Sequence, residues 1–200
     1  MAAVVFRSTF NKVLSFVAWG LLAAAVVVTL VTPGGLSVFP GVALGCAGGA
    51  ALVWALLWSP RLSVDDGGVE VTNVFSACRV PWEALIHVET QFALTLRTPH
   101  RRVRATAAPA PGSLSSLRAA RSYRRRTGAE STGVRPGDLP GTDSGDAAQL
   151  VLARWHDRRD RGLIETGLAE SITVRPVPRV GAIAAVATAV LALAGAALLV

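Results

Sequence analysis

The stretch CRVPWEALIHVET, residues 78–90, brings together a thiol, an indole, an imidazole and two carboxylates. Read as a strand, it places Glu83, His87 and Glu89 on one face with Arg79. A carboxylate–imidazole–carboxylate row is a set that general acid–base chemistry or a metal ion could use. The spacing argues against that use. Alternate residues on a strand stand about 6–7 Å apart, and neither a fourth ligand nor a nucleophile falls nearby in the sequence. A solvated strand face is expected instead. Asp65 and Asp66 are adjacent carboxylates, but Gly67 and Gly68 follow them, and DDGG is a turn signal. His100 and His156 stand alone among arginines. No H-x-x-E-H, P-loop, G-x-S-x-G or C-x-x-C pattern occurs. The reading is therefore no catalytic residue, no metal site, no cofactor and no enzyme.

Charge is the stronger chemical signal. Between Gln91 and Ala129 there are nine arginines and no acidic residue. Beside a membrane, basic residues are drawn to anionic lipid at about 1 kcal/mol each near the surface. Arg101, Arg102, Arg104, Arg124, Arg125 and Arg126 are the candidate contacts for anionic lipid headgroups or an acidic partner. The plainer alternative is positive charge that keeps the segment on the cytoplasmic side without any specific ligand. Nucleic acid is disfavoured, because neither a recognisable nucleic-acid fold nor aromatic interleaving accompanies the arginines.

These residues must be positioned by elements of two kinds. No charged side chain occurs from Val13 to Pro60 or from Val180 to Val200, and about 20 apolar residues span a bilayer core as a helix. Residues 13–31, 39–58 and 180–200 read as three transmembrane helices, the first two forming a hairpin broken at TPGGLSV. Residues 1–12 read as a cytoplasmic tail. A secretory signal peptide is the alternative for the first segment, but the apolar run is long and no A-x-A-like site follows. Arg7, Lys12, Arg61, Arg175 and Arg179 flank the spans, and the 32–38 loop has no basic residue. The positive-inside rule then puts the N-terminus and residues 59–179 in the cytoplasm of a multi-pass plasma-membrane protein. Gly41, Gly45 and Gly49 form a double G-x-x-x-G in the second span, a helix-packing face for the chain's other spans, for self-association or for another membrane protein. Two cysteines, Cys46 and Cys78, rule out a disulfide framework.

From Arg61 the periodicity changes to two. Leu62 and Val64, then Val69 and Val71, then Val80, Trp82, Ala84, Ile86 and Val88 mark inward faces. Phe92, Leu94 and Leu96 continue the pattern, as do Val103, Ala105 and Ala107. Residues 61–107 are thus expected as an antiparallel meander with one buried face. Residues 108–146, rich in Arg, Pro, Gly and Ser, read as a flexible insertion with at most a helical turn near Leu117. Ser144 or Asp146 would cap a helix over 147–162, whose stripe Ala147, Leu150, Val151 and Trp155 covers the sheet before Gly162 stops it. Residues 163–179 form a linker in which Ile172 and Val174 suit one more short strand.

A small antiparallel sheet capped by a C-terminal amphipathic helix is the plan of a pleckstrin-homology (PH)-like domain, and RLSVDDGGVEVTNVFSACRVPWEALIHVE resembles the bacterial PH domains attached to two-helix membrane hairpins. With FRSTFNKVL, VPWEAL, RVRATAAPAPG and VRPGDLPGTDSGDAAQLVLARWHD, the chain resembles actinobacterial membrane proteins of the low-molecular-weight antigen type over roughly residues 6–112 and the helix region. No catalytic residue carries over from that resemblance. Together with the three transmembrane α-helices read from the charge-free runs, it implies a membrane protein with a small, mainly-β cytoplasmic PH-like domain; the third span and the Arg-rich insertion lie outside the family's pattern. Such a protein would be a non-catalytic interaction module for a protein partner or anionic lipid. The alternative is a structural subunit assembled through its transmembrane helices.

Overall fold

The computed structural model describes residues 3–127, 136–165 and 167–199, apart from the side chains of Leu114, Arg126 and Thr127. In chain order the elements are β1 (Val4–Phe6), α1 (Thr9–Val31), α2 (Gly35–Val53), β2 (Arg61–Asp65), β3 (Gly68–Thr72) and β4 (Ser76–Pro81). They continue as β5 (His87–Glu89), β6 (Ala93–Arg97), β7 (Arg102–Pro109), α3 (Ser113–Thr127), α4 (Asp143–Asp160), β8 (Pro176–Pro178) and α5 (Val180–Leu199). The chain divides into two units, one from residues up to Ser8 with Arg61–Val177, the other from Thr9–Pro60 with Pro178–Val200.

The second unit is helical. Helices α1 and α5 and the α2 segment Gly35–Trp58 are each long and apolar enough to cross a membrane. The connection from α1 to α2 is only Thr32–Gly34, with Gly34 in the left-handed region at φ 79°. Helix α2 therefore starts four residues earlier than the periodicity placed it. Its last turn, Trp54–Trp58, widens to π-type geometry, with the Ser59 N–H donating to the Trp54 carbonyl at 2.8 Å. Trp58 lies 5.6 Å from both Phe16 and Trp19 between ring centroids, and the Trp19 indole donates to the Ala50 carbonyl at 3.2 Å. Both α1 and α5 pack on α2.

The first unit holds two antiparallel sheets, with strand orders β1-β2-β3-β4-β8 and β5-β6-β7. The alternating residues behave as their period requires. Leu62, Val64, Val69, Val71, Val80, Leu94, Leu96, Val103, Ala105 and Ala107 are all buried. Helix α4 lays Ala147 and Val151 into this core, with Leu150 and Trp155 at its margin. Thr142, rather than Ser144 or Asp146, caps α4, accepting from the Gly145 N–H at 3.0 Å. Ser144 instead donates to the Gly137 carbonyl.

Several local expectations change. Residues 80–88 are not one strand. Pro81 lacks the N–H that a ladder needs, and Trp82–Ala84 form a 3-10 turn that carries the chain from the first sheet to the second. That turn shifts the alternation, so Leu85 is buried and Ile86 exposed. Phe92 also leaves the pattern, because it sits in the β5–β6 turn and is 68% exposed. Within residues 108–146, Ser113–Thr127 form a full helix rather than a single turn, and Gly137, Leu139, Thr142 and Ser144 are buried. Residues 128–135 lie outside the described residues. The final strand falls at Pro176–Pro178, not at Ile172 and Val174, which pack on the core without strand pairing. Its two prolines suit an edge position. Residues 4–6, expected within a tail, form the opposite edge strand, with Val5 opposite Ser63 and Phe6 opposite Leu62.

Candidate anion-binding surface

The structure takes Glu83 out of the candidate acid–base row and leaves His87 and Glu89 on one face of β5. Glu83 lies on the 3-10 turn, His87 is exposed on β5, and Glu89 pairs with Arg97 at 2.9 Å. Among the described residues no group of three His, Cys, Asp or Glu side chains is arranged to hold a metal ion. Asp65 and Asp66 serve the β2–β3 turn. Asp65 accepts from the Gly67 N–H at 2.8 Å and from Arg79 at 2.7 Å. Burial pushes the Asp65 carboxyl up, but the Arg79 and Gly67 hydrogen bonds and the Arg79 charge outweigh it and hold the group below the usual carboxylate range. Asp66 pairs with Arg158 at 3.3 Å. A turn whose carboxylates are engaged in this way presents no anion site. Cys78 is buried, and burial raises its thiol against the opposing charge of Arg101.

The candidate arginines divide by place. Arg101 lies in the β6–β7 turn, whose Thr98 N–H donates to the Arg101 carbonyl at 2.8 Å. Arg102 begins β7 opposite Arg97, which is itself opposite His87, so the outer face of the second sheet carries a His87–Arg97–Arg102 row. The next row is Glu89–Thr95–Arg104. Arg101, Arg102 and Arg104 are all exposed. The Arg104 guanidinium reaches along the face to lie 6.0 Å from the Phe92 ring centroid, a cation–π arrangement. Arg124 and Arg125 belong to α3 and are exposed; the Arg126 side chain is outside the described residues. The six candidates are thus two groups, one on the sheet and one on a helix.

Helix α3 connects with the sheet at the Phe92 end. Ala110, after β7, donates its N–H to the Phe92 carbonyl at 3.1 Å. A cleft of about 430 Å³ lined by Gln91, Ala110, Ser113, Ser116 and Gly137 lies between the β5–β6 turn and the first turns of α3. Gly137 comes so close that a Cβ there would stand 2.3 Å from the Thr90 carbonyl. The neighbouring Thr90 hydroxyl donates to Asp138. Helix α3 itself has one buried side, marked by Ala119, and an exposed side carrying Arg118, Arg121, Arg125 and Leu117. Residues at i, i+3 and i+7 share a helix face, so the three arginines align. Arg118 and Arg121 belong to the nine-arginine cluster of the sequence but not to its six candidate contacts, and Phe92 belongs to neither. The signal for Phe92 was the break in alternation at Thr90–Gln91, which contains neither Gly nor Pro.

A family model described as a bacterial PH domain matches residues 59–161. The chain belongs to the bacterial PH domain family. No curated protein and no solved structure matches it. The bacterial PH domain match runs from the end of the α2 segment to the end of α4, so it includes α3 and all six candidate arginines. Strands β1 and β8 lie outside it, and these two close the edges of the first sheet.

The glycines of α2 are spent on neighbours within the chain. A Cβ at Gly45 would meet the Ala196 Cβ of α5 at 3.4 Å, and one at Gly49 would meet Leu22 of α1 at 3.3 Å. Gly41 is buried. Against α5 the closest approach is at Gly48, outside the G-x-x-x-G set, where a Cβ would stand 2.8 Å from the Ala189 carbonyl.

Proposed function

We propose that this bacterial PH domain protein is a non-catalytic interaction module anchored in the plasma membrane by α1, α2 and α5. Its N-terminus and PH domain lie on the cytoplasmic side, and it engages anionic groups of a lipid surface or a protein partner through its arginines. The observation that carries this reading is the one-signed exposed surface of β7 and α3, where Arg102, Arg104, Arg118, Arg121, Arg124 and Arg125 are exposed in a segment without acidic residues. Orientation rests on the basic residues that flank the spans. Kinship with actinobacterial membrane proteins of the low-molecular-weight antigen type, carried by the N-terminal, VPWEAL and RVRATAAPAPG segments, is part of the same proposal. The competing reading, a subunit assembled through its helices, loses support because Gly45, Gly48 and Gly49 already face α1 and α5.

The test uses the full chain in nanodiscs containing a photoactivatable phosphatidylglycerol or phosphatidylcholine, alongside crosslinking in native membranes. Salt-sensitive adducts on residues 97–125, from the anionic lipid or from an acidic protein, are expected. Adducts of neither kind on that segment would overturn the reading.

A further inference from the structure

Deepening that reading, and resting on it, the geometry points to one particular surface and one occupant. We propose that the β5–β6 turn and α3 form a single membrane-contact face that docks on an anionic leaflet. In this arrangement Phe92 and Leu117 enter the headgroup layer, while Arg104, Arg118, Arg121 and Arg125 meet lipid phosphates.

Four observations carry it. Phe92 is 68% exposed and Leu117 57% exposed, and large apolar side chains set among arginines are the composition of an interfacial anchor. The Arg104 guanidinium lies over the Phe92 ring, so a cation sits directly beneath the apolar tip. Helix α3 contains no acidic residue, and its arginine face is opposite the side that buries Ala119. The Ala110–Phe92 hydrogen bond ties the β5–β6 turn to the segment leading into α3, and Gln91, Ser113 and Ser116 line one cleft, so the turn lies beside the first turns of the helix. Phe75, half exposed in the β3–β4 turn, extends the apolar rim. Its neighbour Asn73 fastens that turn to β7 by donating to the Arg104 carbonyl at 2.8 Å and accepting from the Thr106 N–H at 2.8 Å.

The bilayer is favoured over an acidic protein for two reasons. Exposed Phe and Leu need an apolar medium that a flexible acidic peptide does not provide. In addition, β2 begins at Arg61, three residues after Trp58 ends the α2 segment. Such a short tether holds the domain at high effective concentration near any leaflet in which α2 is embedded. The β2–β3 turn, with Asp65 and Asp66 in ion pairs, is excluded as the docking point on charge.

The experiment places an environment-sensitive fluorophore at Phe92→Cys in the full chain, with Cys46→Ala and Cys78→Ala, in nanodiscs. With about a third phosphatidylglycerol, a negatively charged surface that attracts basic segments, the probe should shift to the blue. Nitroxide-labelled acyl chains should then quench it several-fold more than in phosphatidylcholine alone. Leu117→Cys should behave alike, and a probe at Asp160→Cys should stay aqueous. Replacing Arg118, Arg121 and Arg125 by Glu should abolish the quenching, and replacing them by Lys should preserve it. An aqueous Phe92 probe in anionic nanodiscs would overturn the docking face, as would equal quenching in neutral lipid. If anionic-lipid or acidic-protein adducts still formed on residues 97–125, the module reading would survive that loss. Absence of both would defeat the two together.

Discussion

The indole Nε1 of Trp82 donates to the backbone carbonyl of Asp65 at 3.1 Å. Trp82 is buried on the 3-10 turn that links the two sheets, and Asp65 ends β2. One side chain therefore fills the core of the PH domain and ties the sheet crossover to the β2–β3 turn. The carboxyl of Asp65 meanwhile holds Gly67 and Arg79, so the turn is fixed from both its main chain and its side chain.

Replacing Trp82 by Ala should cost about 3–5 kcal/mol, the range for a core aromatic. For a domain of this size that lowers the melting midpoint on the order of 10–20 °C. Trp82→Phe keeps most of the buried area but leaves the Asp65 carbonyl unpaired, and should cost about 1–3 kcal/mol. Near-ultraviolet circular dichroism of the full chain in mild detergent would follow both. A Trp82→Phe variant as stable as the native chain would show that the hydrogen bond contributes nothing.

Asp65 gives the domain an acid-sensitive component. Its carboxyl titrates below its ordinary value when folded. Its contribution is therefore present above the ordinary carboxylate value and is lost as pH falls through the lowered folded value. Arg79→Met removes the hydrogen bond and the charge, so the stability gap between native and variant chains should narrow on acidification from pH ~6 to ~3. Arg79 is half exposed, so the gap at neutral pH should be only about 0.2–1 kcal/mol. A gap that stays constant across that range would contradict the account.

Much of the fold was legible because its signals are periodic. The charge-free runs marked the three helices, and the alternation from Leu62 to Ala107 marked nearly every buried strand residue. What escaped was set by tertiary partners. VVF at residues 4–6 has the residue types of a strand, but three residues beside an apolar helix form one only because Arg61–Asp65 offers an edge. Pro81 was visible, but a proline can end a strand or merely edge it, and the turn that exposes Ile86 and buries Leu85 depends on the second sheet. In SLSSLRAARSYRRRT the arginines have good helix propensity, yet the Pro- and Gly-rich flanks masked the helix. The candidate site followed the same rule: the arginines were evident as a cluster, but the Arg104–Phe92 pair is a contact between a strand and a turn.

Gly48 offers a test of packing in the membrane unit. Its missing side chain faces the Ala189 carbonyl and the Ala192 and Leu193 side chains of α5, and a backbone carbonyl cannot give way as a side-chain end can. Gly48→Val should separate α2 from α5, seen as a lengthened spin-label distance and about 1–3 kcal/mol of lost stability. A Cβ at Gly20 would meet nothing within 4 Å, so Gly20→Val is the matched control and should leave the distance unchanged.

Strand β1 carries the last prediction. Val5 and Ser63 are directly opposite in an antiparallel pair, where Cα atoms stand about 4.5–5.5 Å apart, within reach of a disulfide. With Cys46→Ala and Cys78→Ala, the pair Val5→Cys and Ser63→Cys should crosslink under mild oxidant. Val5→Cys with Val64→Cys should not, because neighbouring residues on a strand point to opposite faces. The pairing has a consequence for topology. Phe6 and Arg61 lie on opposite ends of the α1–α2 segment, and their strands can pair only if the chain between them crosses the bilayer an even number of times. Crosslinking of the first pair alone would therefore support both the register and a two-span hairpin. Equal crosslinking of the two pairs would mean that β1 is not held in register, and absence of both would detach residues 4–6 from the sheet.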